Sequence, residues 1–296
     1  MNFRTALWAT FLLAALTSCK QETSGPAPSS KPALPAPVAS GLPGDLSRVS
    51  TVVNPNKEKV YDGPTATVRG VIRASGDAAS AAPVQGLEIP PECAKARDVY
   101  GYPFQEGPAR ELADVLVTVT GYQGYVAETK PAVTLEGKDC SWGARTIALT
   151  YGQRIDVVSK DKNSYVPDLL GSKMKAQLVA TPFGKGTANL YPPAAGRYIL
   201  IDNLRLFMAA EVLVLKYATH DVTGADGRFE IVGIPPGKVT VSALLPSTGA
   251  VAQKEIELKG GDNTELDLTL AFDAKKYQAE LKPAGSASPS ASSPPR

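Results

Sequence analysis

One histidine and three cysteines are the chain's whole stock of the side chains that most often serve as general bases, thiol nucleophiles and soft metal ligands. With His220 as the sole imidazole, the acid–base partner of a hydrolase is nearly unavailable, and no Gly-x-Ser-x-Gly elbow occurs. Phe183-Gly184-Lys185-Gly186-Thr187 has the composition of a phosphate loop but not its Gly-x-x-x-x-Gly-Lys spacing, so it reads as a turn. Asp221 and Asp226 do not follow the calcium-loop pattern, which leaves one exposed site built from loop carboxylates as the open alternative there. His220 reads as a surface or strand-edge residue. The other candidates are glycine-spaced aromatics, Tyr100-Gly101-Tyr102 and Tyr122-Gln123-Gly124-Tyr125, with Trp142 beyond. Such rings can stack on a sugar or a partner chain, or they can pack at the ends of a sandwich. Tyr102, Tyr122, Tyr125 and Trp142 are thus the candidate binding surface. The expectation is a protein that is not an enzyme and carries no cofactor.

The cysteines take their meaning from the N-terminus. Arg4 precedes an apolar stretch from Ala6 to Leu16, too short to span a bilayer and placed where an export signal belongs. It ends in Leu16-Thr17-Ser18-Cys19, which resembles the bacterial lipobox. The resemblance implies a diacylglycerol on the Cys19 thiol, removal of residues 1–18, and a protein held to a membrane through its lipid. Buried acyl carbons contribute about 0.8 kcal/mol each, so multiple chains hold nearly permanently. The alternative is an ordinary secretory signal with a fortuitous cysteine. Export leaves Cys93 and Cys140 as an even pair in an oxidising compartment, which predicts a disulfide, two thiols acting as metal ligands being the other reading. The expected location is the bacterial cell envelope, with the outer membrane ahead of the inner one and the protein facing the periplasm or the surface.

These residues must be positioned by something, and the pattern of the 296 residues says what. Residues 19–58 are dominated by Pro, Ala, Ser and Gly and read as a disordered tether; residues 276–296 read as a disordered tail. Thirty-one basic against 29 acidic residues give a net charge of +2, so no footprint for nucleic acid is present. Between the tails the pattern is β throughout. Alternating or continuous apolar runs predict strands at 65–73, 114–120, 132–135, 146–149, 154–158, 176–180, 196–201, 210–215, 229–232, 238–244, 252–258 and 265–270. The run at 114–120 should be central in its sheet. Pro108 to Ala113 is the best candidate for a helical turn. Asp226-Gly227 and Pro236-Gly237 suit tight turns, which predicts a hairpin and an all-β, antiparallel Greek-key sandwich.

Pro91-Glu92-Cys93, Ala113-Asp114-Val115-Leu116-Val117-Thr118-Val119 and Asp139-Cys140-Ser141-Trp142, followed by Thr146 to Gln153, make residues 59–223 similar to the cupredoxin-like domains of exported plastocyanin and methylamine-utilisation proteins. The resemblance implies a copper site whose ligands this chain has replaced. Tyr165 stands where a histidine is usual, Asp202 where the cysteine is, and Arg205 where the second histidine is; Met208 alone is kept. Copper of the blue type needs two imidazoles and a thiolate, so electron transfer through copper is not expected, a rearranged metal site being the alternative. Gly224-Ala225-Asp226-Gly227-Arg228-Phe229 and Gly233-Ile234-Pro235-Pro236-Gly237 make residues 224–275 resemble carboxypeptidase regulatory-like and transthyretin-like modules, which implies a non-catalytic structural or binding role. The partners expected are the membrane, through the lipid, and another envelope protein or a polysaccharide.

Overall fold

The structure is a computed structural model and describes residues 59–172 and 178–281. The signal segment, Cys19, the tether, the tail beyond Leu281 and residues 173–177, which include the start of the strand expected at 176–180, lie outside the described residues. Apolar alternation produces strands at most of the places where it was read; of the run expected at 176–180, the described residues carry only an isolated bridge of Ala180 to Tyr165. The strands are β1 (Ala66–Gly76), β2 (Leu116–Thr120), β3 (Ala132–Lys138), β4 (Ser141–Trp142), β5 (Thr146–Thr150), β6 (Arg154–Ser159), β7 (Pro167–Leu170) and β8 (Ala188–Leu190). There follow β9 (Gly196–Asp202), β10 (Arg205–Leu215), β11 (His220–Val222), β12 (Arg228–Ile234), β13 (Gly237–Leu245), β14 (Ala250–Leu258), β15 (Asn263–Glu265) and β16 (Leu268–Phe272). Among the described residues, two short helices, α1 (Ala96–Tyr100) and α2 (Ala274–Leu281), accompany the strands. It is all-β, as the turn chemistry and alternation indicate.

The strands form four sheets that face each other in two pairs. In the first sandwich β12 and β1 pair antiparallel, while β15 and β16 lie parallel to successive halves of β1. Opposite stands the sheet β11-β2-β13-β14. Phe229 and Ile231 of β12 point inward and Arg228 and Glu230 outward, so one face of the strand meets Val68, Ile72, Val117, Val241 and Leu270 in a common core. In the second sandwich the sheets are β5-β10-β9-β7 and β4-β3-β6-β8, closing on Leu135, Trp142, Leu149, Ile155, Tyr165, Leu200, Met208 and Val212. A third, small apolar cluster joins the two: Leu116 of β2 meets Ala148 of β5 with Leu213 and Leu215 of β10. The three leucines are fully buried, and each contributes on the order of 2 kcal/mol to that junction. β2 is therefore buried on both faces: Val117 and Val119 fill the first core, while Leu116, on the face it shares with Thr118, fills the junction.

Four features differ from the sequence reading. The run at 65–73, assigned with residues 59–223, pairs instead with strands of the 224–275 segment, and the run at 114–120 pairs both with β11 inside 59–223 and with β13 of the 224–275 segment, because their inward valines fit Phe229, Val241 and Leu270. The reversal at Asp226-Gly227 does not make a hairpin. Gly227 closes the turn onto Gly224 at φ 69, but β11 pairs with β2 and β12 with β1, so the chain crosses from one sheet to the other. Pro235-Pro236 likewise carries the chain back, and the hairpin of this region is β13–β14, nine residue pairs in register. Pro108 to Ala113 is not helical: Arg110 has φ 67, and Glu111 and Leu112 bridge to Arg73 and Glu106. Helix occurs instead at α1 and α2, the latter extending order into residues assigned to the tail through the packing of Tyr277 on Phe272. Antiparallel pairs dominate, with β3–β6 and β5–β10 parallel inside the second sandwich.

Candidate functional site

Three of the four positions that resemble a lost copper set come together at one end of the second sandwich. Asp202 ends β9 and is fully buried; Arg205 opens β10 and places Nη1 at 2.8 Å from Asp202 Oδ2. Asp202 Oδ1 also accepts the Val166 N–H at 2.7 Å, while Arg205 Nη1 donates to the Ser164 carbonyl at 3.2 Å. The guanidinium lies 5.2 Å from the centre of the Tyr165 ring, a cation–π distance. Tyr165 is fully buried, and its hydroxyl donates to Asp161 Oδ2 at 3.0 Å. Gly137 admits the ring: a Cβ there would sit 2.8 Å from it. Burial pushes the Tyr165 hydroxyl up to about 12, with the neighbouring Asp161 charge adding to the shift. Burial would raise Asp161 too, but the N–H groups of Asn163 and Asp139 outweigh it and hold that carboxyl below its usual range. Met208 packs in the apolar core, and its carbonyl accepts Trp142 Nε1 at 3.2 Å. A neutral phenol, a thioether and a carboxylate paired to a permanent cation do not fit copper.

Cys93 and Cys140 are joined as a disulfide. Asp139 and Cys140, at φ 51 and 58, form the two-residue turn of the β3–β4 hairpin, a place where asparagine and glycine are usual. The bond to Cys93 and the Asp139 N–H donated to Asp161 hold that conformation. The bridge also pins the segment leading into α1, whose Tyr100 caps the second core and accepts the Trp142 N–H through its hydroxyl at 2.9 Å.

The aromatic candidates do not make one surface. Trp142 is 2% exposed and belongs to the second core, against Tyr165. Tyr122 packs on the first core and its hydroxyl lies 2.7 Å from Thr219 Oγ1. Tyr125 pairs its backbone with the entering chain at Val60 and Tyr61. Only Tyr102 of the four is exposed. Trp142 and Tyr122 thus serve packing in the two cores rather than a shared surface.

What sequence reasoning missed is a cleft of about 700 Å³ lined by β11 and β12 of the first sandwich, β3 and β5 of the second, and residues 126–130 between them. His220 lies on its edge strand, with Nε2 3.2 Å from Thr150 Oγ1, which also meets Glu128 Oε2 at 3.2 Å. Asp221 accepts the N–H of Glu230, tying β11 to β12. Burial lowers His220 to about 4, against a smaller opposing pull from Glu128. The unfolded imidazole titrates near 6.5, so between those values the unfolded chain binds more protons. Stability should thus be complete above about pH 6.5 and decline as pH falls towards 4, by about 2 kcal/mol once partial solvent access is allowed for. In His220→Gln this component should vanish. Urea unfolding at about pH 7 and about pH 4.5 measures it, and an equal pH dependence in both proteins would contradict the assignment.

No family model matches the chain, and no curated protein matches it. Among solved structures, amicyanin from Paracoccus versutus is 14% identical, covering 33% of this chain and 96% of its own, with a TM-score of 0.26. A copper-containing nitrite reductase from Thermus scotoductus is 16% identical, covering 30% of this chain and 23% of its own, at a TM-score of 0.24. A Cu(I) form of an amicyanin mutant is 14% identical over 33% of this chain and 97% of its own, at a TM-score of 0.25.

Proposed function

We propose that this chain is a lipid-anchored protein of the bacterial envelope whose two sandwiches act as a non-catalytic binding or structural module. The observation that supports it is the closure of the Tyr165–Asp202–Arg205 end: where a metal site would present open donors, a partly buried cation is already paired with a fully buried carboxylate and lies against a ring. The anchor is the lipid on Cys19, and the tether of residues 19–58 carries the sandwiches away from the membrane. A partner protein or polysaccharide meets the cleft between the sandwiches, whose floor mixes His220, Glu128 and Asp221 with Val133, Ile147 and Val222.

Two measurements test this. Cys19→Ala should move the protein from the membrane fraction to the soluble one, and continued tight membrane association would refute lipidation as the anchor. Crosslinking in intact cells, with elemental analysis of the same purified material, should give a reproducible partner without metal. A transition metal at unit stoichiometry would overturn the reading in favour of a rearranged metal site.

A further inference from the structure

A second cavity, of about 210 Å³, lies where the outer face of β9–β10 meets the β13–β14 turn and α2. At about 30 Å³ per water it has room for about seven non-hydrogen atoms. Its wall is apolar at Ile199, Val84 and Ala209, and its polar groups converge from several elements. Arg145 reaches it from the start of β5. Nη1 is fixed by the carbonyls of Val99 and Tyr102 at 3.2 and 2.9 Å, the guanidinium carbon lies 6.0 Å from the centre of the Tyr100 ring, and the side chain lines the cavity. Ser247 adds a hydroxyl that is buried with no hydrogen-bond partner among the described residues. Tyr277 of α2 brings a second hydroxyl into the field of the Arg145 charge.

The opposite sign is present as well. Asp114 holds φ 64 and is buried; its Oδ1 accepts the N–H groups of Arg145 and Thr146 at 2.7 and 3.1 Å. Burial raises its carboxyl above the usual range and lowers Arg145 below its own, so both charges sit where water screens them poorly. Glu211 also lines the space but is neutralised by Arg197 through two hydrogen bonds of 2.8 and 2.7 Å. A lone anion would meet Asp114, and a lone cation would meet Arg145. A small molecule carrying both charges on adjacent carbons meets each with its opposite, and the unpartnered Ser247 hydroxyl supplies the remaining hydrogen bond.

From this lining we infer that the Arg145–Asp114–Ser247 cavity binds a small zwitterion of the α-amino-acid class, carboxylate to Arg145 and ammonium to Asp114, with a short side chain against Ile199. The cavity owes nothing to the lipid anchor; it shares Asp114 and Thr146 with the wall of the cleft, but Arg145, Ile199, Ala209, Ser247 and Tyr277 line the cavity and not the cleft, so variants at those positions test it separately from the cleft reading. The test uses the full chain and saturation-transfer NMR with glycine, L-alanine, L-serine and L-valine, and with acetate and ethylammonium as singly charged controls. For about seven atoms the expected dissociation constant of the best amino acid is on the order of 0.1–1 mM, with both controls at least about tenfold weaker. Ala209→Leu fills the space from a solvent-side position and should abolish binding at an unchanged melting temperature. Ser247→Ala and Tyr277→Phe, which leave the Arg145 scaffold intact, should each weaken it about threefold or more. No transfer from any amino acid at about 10 mM, affinity for acetate equal to that for alanine, or undiminished binding in a folded Ala209→Leu protein would each overturn the assignment.

Discussion

Arg205→Met should destabilise the protein by about 3 kcal/mol, the largest effect expected of any single charged residue in the second sandwich. The reason is the partner it abandons. Asp202 is fully buried, and its Oδ1 is held by a backbone N–H, so without the guanidinium a carboxylate remains in the interior with no cation against it. Removing one member of a buried pair costs about 3–5 kcal/mol, and the lower end applies because the Arg205 side chain keeps 18% of its surface in water. Arg205→Met also withdraws the charge from the Tyr165 face, a loss of about 1 kcal/mol. Asp202→Asn/Arg205→Met removes both charges and should recover most of the loss. Urea unfolding of the parent, the two single variants and the double variant gives the coupling directly. A single variant within about 1 kcal/mol of the parent, or a double variant no better than the single, would show that the pair does not close this end of the sandwich.

Replacing both bridging cysteines with serine should lower stability by about 4 kcal/mol. Cys93 and Cys140 are 47 residues apart, and a loop of that length loses roughly this much closure entropy in the unfolded chain. The native state suffers as well, since the left-handed pair Asp139–Cys140 is then held only by its hydrogen bonds. The loss should be concentrated in the second sandwich. Trp142 is the tryptophan of the described residues and stands beside the bridge in that core, so its fluorescence reports that sandwich. A midpoint in urea unchanged between Cys93→Ser/Cys140→Ser and the parent would mean the bridge adds nothing to the folded state.

Local chemistry was legible and long-range pairing was not. Valine and isoleucine alternation placed most strands within a few residues, since a half-buried strand must alternate wherever it pairs. The pairing expected of Cys93 and Cys140 is present as a disulfide. The route between sheets is a different kind of information. Asp226-Gly227 specifies that the chain turns, and nothing in the dipeptide says whether β12 returns beside β11 or crosses to β1; the fit of Phe229 and Ile231 to a core completed by Val68 and Leu270 decides it. Short β7, β8 and β11 carried too few residues for alternation to be counted. The positions that resemble a copper set could be read one at a time, but the meeting of Asp202 with Arg205 needed the turn between β9 and β10, and Tyr165 joins them only through the fold. Arg145 and Asp114 gave no signal in sequence because one is fixed by backbone carbonyls and the other by backbone N–H groups.

The nesting of one sandwich within the other sets an order of assembly. β1 finds its partners in β12, β15 and β16, far along the chain, whereas all strands of the second sandwich lie between Ala132 and Leu215. During synthesis from the N-terminus the inner sandwich can close while β1 and β2 still wait with open edges and uncovered valines. Such edges are templates for unwanted strand pairing, and distant closures are slow. The interval until Phe272 becomes available is therefore when the chain is most exposed to aggregation, and a holdase that covers β1 and β2 would raise the yield of folded protein more than one acting on the inner sandwich.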